Sequence, residues 1–234
     1  MNGAPSAFDL TQWLPGEARD AFHAEARRVR FTQGELIYSR GDIGDTMFRL
    51  VSGAVRLFVA RSDGRELLYL LFQPGDCFGM SSFIDGGPLP QTAEAVKDLE
   101  AEVLGRTAFA RLRAEYRAFD DALLRLATQQ MRALSSLLAD THLEDISARI
   151  ASRILATAES FGLPTDNGIS LSIRLSQSEL ARMVGGSRQT VNRVLQRFHR
   201  EGLLSTVGGR LTIHSLDGLK DKLATPLGAI EDID

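Results

Sequence analysis

The sequence predicts an α+β chain in which a β-rich N-terminal half and a helical C-terminal half flank one long helix. Three observations carry this. Residues 28–104 break into short apolar runs between Gly- and Asp-rich turns, the mark of a sandwich or barrel. From about Arg117 the apolar period changes to heptad spacing. After Ser176 two short amphipathic helices follow each other across a Gly-Gly break, and two apolar runs joined by Gly208-Gly209 come next. A length of 234 residues suits one large or two modest domains.

Composition narrows the class. A hydrophobic fraction of 44% is ordinary for a globular protein. No apolar run reaches the ~18–20 residues of a membrane-spanning helix. The opening MNGAPSAFDLTQWLPGEARD has neither a basic start nor an apolar stretch, so no secretory signal is expected. The single cysteine, Cys77, cannot make an internal disulfide or a multi-thiolate metal site. A cytoplasmic protein with no membrane partner is the expectation. Net charge is −3, yet Arg174–Arg210 carries seven arginines against Glu179 and Glu201, a local balance of +5. Such a patch is the footprint of phosphate binding, although a solvated helix face looks the same on charge alone.

Residues 17–28 read as a short helix. RVRF, ELIY, TMFRLV, GAVRLFVA, ELLYLLF, TAEAV and AEVLG then read as strands, with breaks that include Ser52-Gly53 and QPGD at 73–76. Asp63-Gly64 is a hairpin signal, because both residues tolerate positive φ. Between Arg117 and Leu138, the residues Leu123, Ala127, Gln130, Leu134 and Leu137 recur at spacings of 4 and 3, a heptad seam. A helix of about 22 residues is about 33 Å long, more than a small core needs, so the seam predicts pairing with a second copy. Gln130 in that seam would set register. Asp140 or Thr141 is expected to open another helix, ending near Phe161-Gly162-Leu163-Pro164. TDNG at 165–168 reads as a turn and ISLSIRL as a strand.

Residues 176–200, SQSELARMVGGSRQTVNRVLQRFHR, hold the most specific pattern. Ser176 and Glu179 form a capping box that starts a helix. Gly185 suits the left-handed turn that ends it, and Ser187 caps the next. Val191, Val194, Leu195 and Phe198 share one face of that second helix; Arg188, Gln189, Asn192 and Arg193 share the other. This is a helix-turn-helix pattern, in which small Ala181 lets the helices approach. Arg can hold guanine with two hydrogen bonds, and Gln or Asn can hold adenine. Ser187 and Thr190 at the helix start suit phosphate oxygens. The hairpin at 204–213 would be a wing that brings Arg210 to a phosphate.

In these residues the chain resembles the catabolite-activator (CRP/FNR) family of bacterial transcription regulators, from about Phe31 to Ile213. GELIYSRGDIGDTMFRLVSGAVRLF and DGRELLYLLFQPGDCFG resemble the cyclic-nucleotide-binding β-roll. LSQSELARMVGGSRQTVNRVLQRFHREGLL resembles the winged helix-turn-helix. The resemblance implies a β-roll sensor over 1–116, a dimerisation helix over 117–140 and a winged helix-turn-helix over 141–234. It also implies a homodimer on a two-fold symmetric double-stranded DNA operator, with RNA polymerase as a partner if the protein activates. The central helix and the joint near 140–144 would be the bistable element. Where cAMP-binding members read DNA with Arg, Glu and Arg, this sequence has Arg188, Gln189 and Arg193.

The ligand side departs from the family pattern. The phosphate-binding cassette usually carries Gly-Glu-Leu and later Arg-Ser/Thr-Ala. The corresponding stretch here is GMSSFIDGGPLPQTA, in which Gly79, Thr92 and Ala93 match. Met80 replaces the Glu that holds the ribose, and Gln91 replaces the Arg that neutralises the phosphate. Ser81 lies beside them, and Leu134 and Ser135 correspond to the positions that meet the adenine. A buried phosphate without its cation costs several kcal/mol, so cAMP control is expected to be lost and the effector is unknown. No cofactor is expected. An iron–sulfur sensor needs several cysteines, and before the central helix haem would have only His23 and Cys77 for axial ligands apart from methionine. A cupin-type metal enzyme needs histidines on its strands, and residues 28–104 contain none. With no nucleophile–base pair evident either, the chain is not expected to be an enzyme. The competing class is a binding module whose helix-turn-helix no longer meets DNA.

Overall fold

The computed structural model describes residues 6–60, 66–143 and 145–223, with the backbone alone for 140–143. The Asp63-Gly64 turn, the side chains of the 140–144 joint and the acidic tail lie outside the described residues. The chain divides into two compact units, Met1–Leu134 and Ser135–Asp234.

The first unit starts with a 3-10 turn at Leu10–Trp13 and helix α1, Gly16–Glu25. Strands β1 (Arg27–Phe31), β2 (Leu36–Tyr38), β3 (Thr46–Ala60), β4 (Glu66–Phe72) and β5 (Cys77–Phe78) follow. Then come α2 (Ser81–Asp85), β6 (Thr92–Gly105), α3 (Arg106–Glu115) and α4 (Arg117–Leu143). All strand pairs are antiparallel, in the order β1-β6-β3-β4, with β2 also on β6 and β5 on β3. Two apolar clusters hold it. Phe48, Phe72 and Phe78 meet inside the sheet, with Phe48 and Phe78 stacked at 5.1 Å between ring centroids. Leu10, Phe22, Phe109, Leu112, Phe119 and Leu126 bind the helices to the other side.

Two sequence expectations change here. Ser52-Gly53 is not a turn between strands: β3 runs through it, with register shifts against β6 on both sides. Gly53 sits at φ +97°, and a Cβ there would run into Leu99, so glycine permits a bulge that bends one long strand. Two residues of the expected seam are also buried within the chain itself. Leu123 is only 5% exposed and packs in the unit's own core with Phe119, Ala122 and Leu126. Leu137 is buried too. The face left outside carries Leu124, Met131 and Leu138, exposed by 67%, 61% and 62%. Gln130 is half-buried and donates its amide N–H to the Cys77 carbonyl at 3.2 Å.

The N-terminal segment is strapped to the sheet by polar groups. Asp9 caps the 3-10 turn by accepting from the Thr11 backbone N–H at 3.0 Å. Arg49 of β3 grips both Asp9 oxygens, at 3.1 and 2.8 Å, and reaches Glu102 of β6 at 3.2 Å. His23 Nδ1 lies 3.1 Å from the other Glu102 oxygen, which gives it a partner within the fold. Burial alone would raise Asp9, but hydrogen bonds from Arg49 and Thr11 outweigh it and hold the carboxyl below its usual value. Cys77 is fully buried, and burial pushes its thiol up, the reverse of what a reactive thiolate needs.

The second unit opens with α5 (Ile146–Phe161), capped by Asp145, which accepts from the Ser147 and Ala148 N–H groups at 2.6 and 2.9 Å. The helix therefore starts later than expected: α4 continues to Leu143, and Asp145 supplies the cap expected of Asp140 or Thr141. Strands β7 (Gly162–Thr165) and β8 (Gly168–Leu171) follow, then α6 (Gln177–Val184) and α7 (Arg188–Arg200). β9 (Leu204–Val207), β10 (Arg210–Ile213) and α8 (Leu216–Asp221) complete it. The sheet order is β7-β8-β10-β9. Residues 163–164 thus belong to a strand, and Pro164 is tolerated because β7 is an edge.

Asp76 supplies a test of the strap. It is buried, accepts from the Ser6 hydroxyl and takes the Gln73 N–H at 2.7 Å. Burial is the largest influence and, with the nearby Asp9 charge, outweighs these bonds, so its carboxyl is pushed up to about 6. A native carboxyl that holds its proton more tightly than the unfolded chain adds stability below the unfolded value of 3.8 and loses it as pH rises to about 6. Urea denaturation should show this loss between about pH 4 and 6 in the wild type, and Asp76→Asn should flatten the slope. An unchanged slope would remove Asp76 as its cause.

Candidate nucleic-acid interface and ligand cavity

Local sequence chemistry sets the geometry of α6 and α7. The Ser176 hydroxyl accepts from the Glu179 N–H at 3.1 Å, and the Glu179 carboxylate accepts from the Ser176 N–H at 2.8 Å. Gly185 ends α6 at φ +66°, a conformation open to glycine without strain. The Ser187 hydroxyl accepts from the Thr190 N–H at 3.1 Å and lies 2.9 Å from the Thr190 hydroxyl, so α7 starts on a side-chain cap. Val191, Val194, Leu195 and Phe198 are buried, and this fixes the rotation of α7. Arg188, Gln189, Asn192 and Arg193 are left exposed, with Thr190 half-buried at the first turn. Gln177 donates to the Asn192 side-chain oxygen at 3.0 Å, which orients that amide on the exposed face.

The wing forms as a two-residue hairpin. Arg210 pairs with Val207 across Gly208-Gly209, and both glycines have positive φ, as this turn requires. Arg210 is exposed beside the turn. Of the seven arginines of the basic segment, Arg197 is tied to Ser147 and lies 4.0 Å from Glu201. Arg188, Arg193, Arg200 and Arg210 are exposed and form no ion pair among the described residues. An exposed helix face of unpaired arginines with interleaved amides can bind phosphate and read base edges together.

A separate cavity of about 170 Å³ lies within the first unit, against α4. Gly79, Met80, Ser81, Gln91 and Leu134 line it, as the sequence suggested. Thr92, Ala93 and Ser135 do not. Ala93 is buried in the sheet core, and the Thr92 hydroxyl accepts from the Arg40 N–H at 3.0 Å. Ser135 is exposed on α4, in the second unit. Sequence reasoning missed Tyr38, Ile84 and the cavity role of Ala127 and Gln130. The only local signal was the alternation in ELIY, which turns Tyr38 to one face of its strand.

Comparison with known proteins identifies both domain types. Residues 28–116 match the family model for the cyclic nucleotide-binding domain, and 148–222 match the Crp-like helix-turn-helix domain. A CRP-like cAMP-activated global transcriptional regulator from Mycobacterium tuberculosis is 30% identical over 210 residues, 90% of this chain and 94% of the relative. The transcriptional regulator LdrP of Thermus thermophilus is 32% identical over 204 residues, 86% of this chain and 98% of its own. A solved CRP-family transcriptional regulator, also from Thermus thermophilus, superposes with a TM-score of 0.73 at 29% identity, covering 86% of this chain and 99% of that one. With its two domain types in the family's order and its similarity running almost end to end, the chain belongs to the CRP/FNR family of transcription regulators.

Proposed function

We propose that the chain is a homodimeric, sequence-specific regulator that binds a two-fold symmetric DNA site and does not use cAMP as its effector. Residues 1–116 act as the sensor, 117–140 as the pairing helix and 141–234 as the DNA-binding part. The protein works by binding and not by catalysis, in the cytoplasm, with RNA polymerase as a partner if it activates. The observation that carries the DNA role is the exposed face of α7, where Arg188, Gln189, Asn192 and Arg193 stand clear of the core. Arg188 and Arg193 suit guanine, Gln189 suits adenine, and Ser187, Thr190 and Arg210 suit the flanking phosphates. Two such helices about 34 Å apart would enter successive major grooves.

Pairing is supported by α4. Leu124, Met131 and Leu138 stand seven residues apart on an exposed face of a 27-residue helix, the repeat of a two-helix seam. Ala127 and Leu134 fall at the alternate positions of that repeat. Independence from cAMP is supported by the cavity, in whose wall no described residue carries a charge. Met80 and Gln91 stand where cAMP-binding members place the ribose acceptor and the phosphate cation.

Titration of an operator fragment tests the DNA role. Arg188→Ala or Arg193→Ala should each cost about 1–3 kcal/mol and relax preference at one base pair. Equal loss on all sequences would contradict base reading by these arginines. Sedimentation tests the pairing face. Met131→Glu should shift the dimer towards monomer, whereas Leu123→Ala should leave association intact and lower fold stability by about 2–5 kcal/mol. The reverse pattern would return the seam to Leu123.

A further inference from the structure

The cavity against α4 combines apolar walls with a few neutral polar groups that have no partners. Phe72, Phe78, Leu57 and Met80 supply apolar surface. Tyr38, Ser81 and Gln91 line the same space, and none of their side chains makes a hydrogen bond to a described residue. Gln130 donates to the Cys77 carbonyl and keeps its own carbonyl oxygen for another donor. These side chains are half-buried at a cavity that water can reach, so each is free to turn its donor or acceptor to a ligand that enters. Apolar walls with a small number of placed polar groups are the general form of a small-molecule site.

Charge decides the class of that molecule. Arg56, the neighbour of the lining Leu57 on β3, is committed to Glu94 at 2.8 Å and Glu66 at 3.6 Å. Burial pushes the Tyr38 phenol well above its usual range, so it stays neutral and able to donate. An anion placed here would lose water and gain no cation from the described residues that line the cavity. Size agrees, since an apolar cavity of about 150 Å³ is known to accept benzene, and this one is about 170 Å³.

We infer that the cavity takes an uncharged, mainly apolar molecule of one or two rings with a single hydroxyl or amide-like edge. This rests on the reading of the β-roll as a sensor that does not use cAMP. The ligand would lie against Ala127, Gln130 and Leu134 of α4, the helix that also carries the Leu124–Met131–Leu138 stripe. A donor on the ligand would bond Gln130, and a second acceptor there would compete with the Cys77 carbonyl for its amide.

Calorimetric titration of the full chain tests this with one ring carrying three edges: p-cresol, toluene and p-toluate, with cAMP alongside. p-Cresol should bind about tenfold or more tightly than p-toluate, whose carboxylate finds no cation. Tyr38→Phe should weaken p-cresol about three- to tenfold, the worth of one neutral hydrogen bond, and leave toluene unchanged. Binding of p-toluate as tight as p-cresol, no binding by either neutral ring, or p-cresol binding indifferent to Tyr38→Phe would each overturn the inference. Tight binding of cAMP would overturn the parent reading as well. Silence from all the rings and from cAMP would remove the ligand class alone.

Discussion

A helix turns once in 3.6 residues, so burying one of its faces fixes where every other face points. On α4 the buried face is Phe119, Ala122, Leu123 and Leu126, locked into the first unit's core against α1 and α3. Once that face is set, Ala127, Gln130 and Leu134 must turn to the cavity, and Leu124, Met131 and Leu138 must turn outwards. The cavity-lining residues and the exposed apolar stripe therefore adjoin on one helix, with Ala127 and Leu134 common to the cavity and the proposed pairing repeat. A ligand could act through it only by favouring one arrangement of the helix over another. The Gln130–Cys77 hydrogen bond ties the cavity side of that helix to the sheet.

The same constraint operates in the second unit. Val191, Val194, Leu195 and Phe198 are buried, and this alone turns Arg188, Gln189, Asn192 and Arg193 to the outside. Capping sets where the helix starts. Ser187 places the first turn of α7 directly after the Gly185-Gly186 break, so the free N–H groups and the arginines sit together at its N-terminal end. Loss of either glycine geometry or the cap would change the phase of this exposed face. No contact of the arginines themselves is needed to hold it.

What was legible in the sequence followed from how local the signal is. The capping box, the left-handed Gly185 and the Gly208-Gly209 turn each lie within a few residues, and each appears where it was expected. Ser52-Gly53 was misread because a glycine in a strand and a glycine in a turn look alike, and only pairing of β3 with β6 decides between them. Leu123 and Leu137 were expected on an exposed face because Leu123-Leu124 and Leu137-Leu138 are adjacent apolar pairs, and either member satisfies the heptad. Packing against Phe119 and its neighbours breaks the tie. Tyr38 could not be placed at all, since it is brought to Gln91 and Gln130 by sheet topology and not by spacing. Met80 and Gln91 were visible through family resemblance, and among the described residues that line the cavity none is charged.

The central claim joins the α7 face to an uncharged sensor: a family member that recognises DNA without cAMP. It is tested most directly by incubating the purified protein with genomic fragments, with and without cAMP, and sequencing what is retained. The account predicts the same two-fold symmetric motif, enriched equally in both samples. A motif that emerges only when cAMP is present would contradict it, as would retention with no sequence preference in either sample.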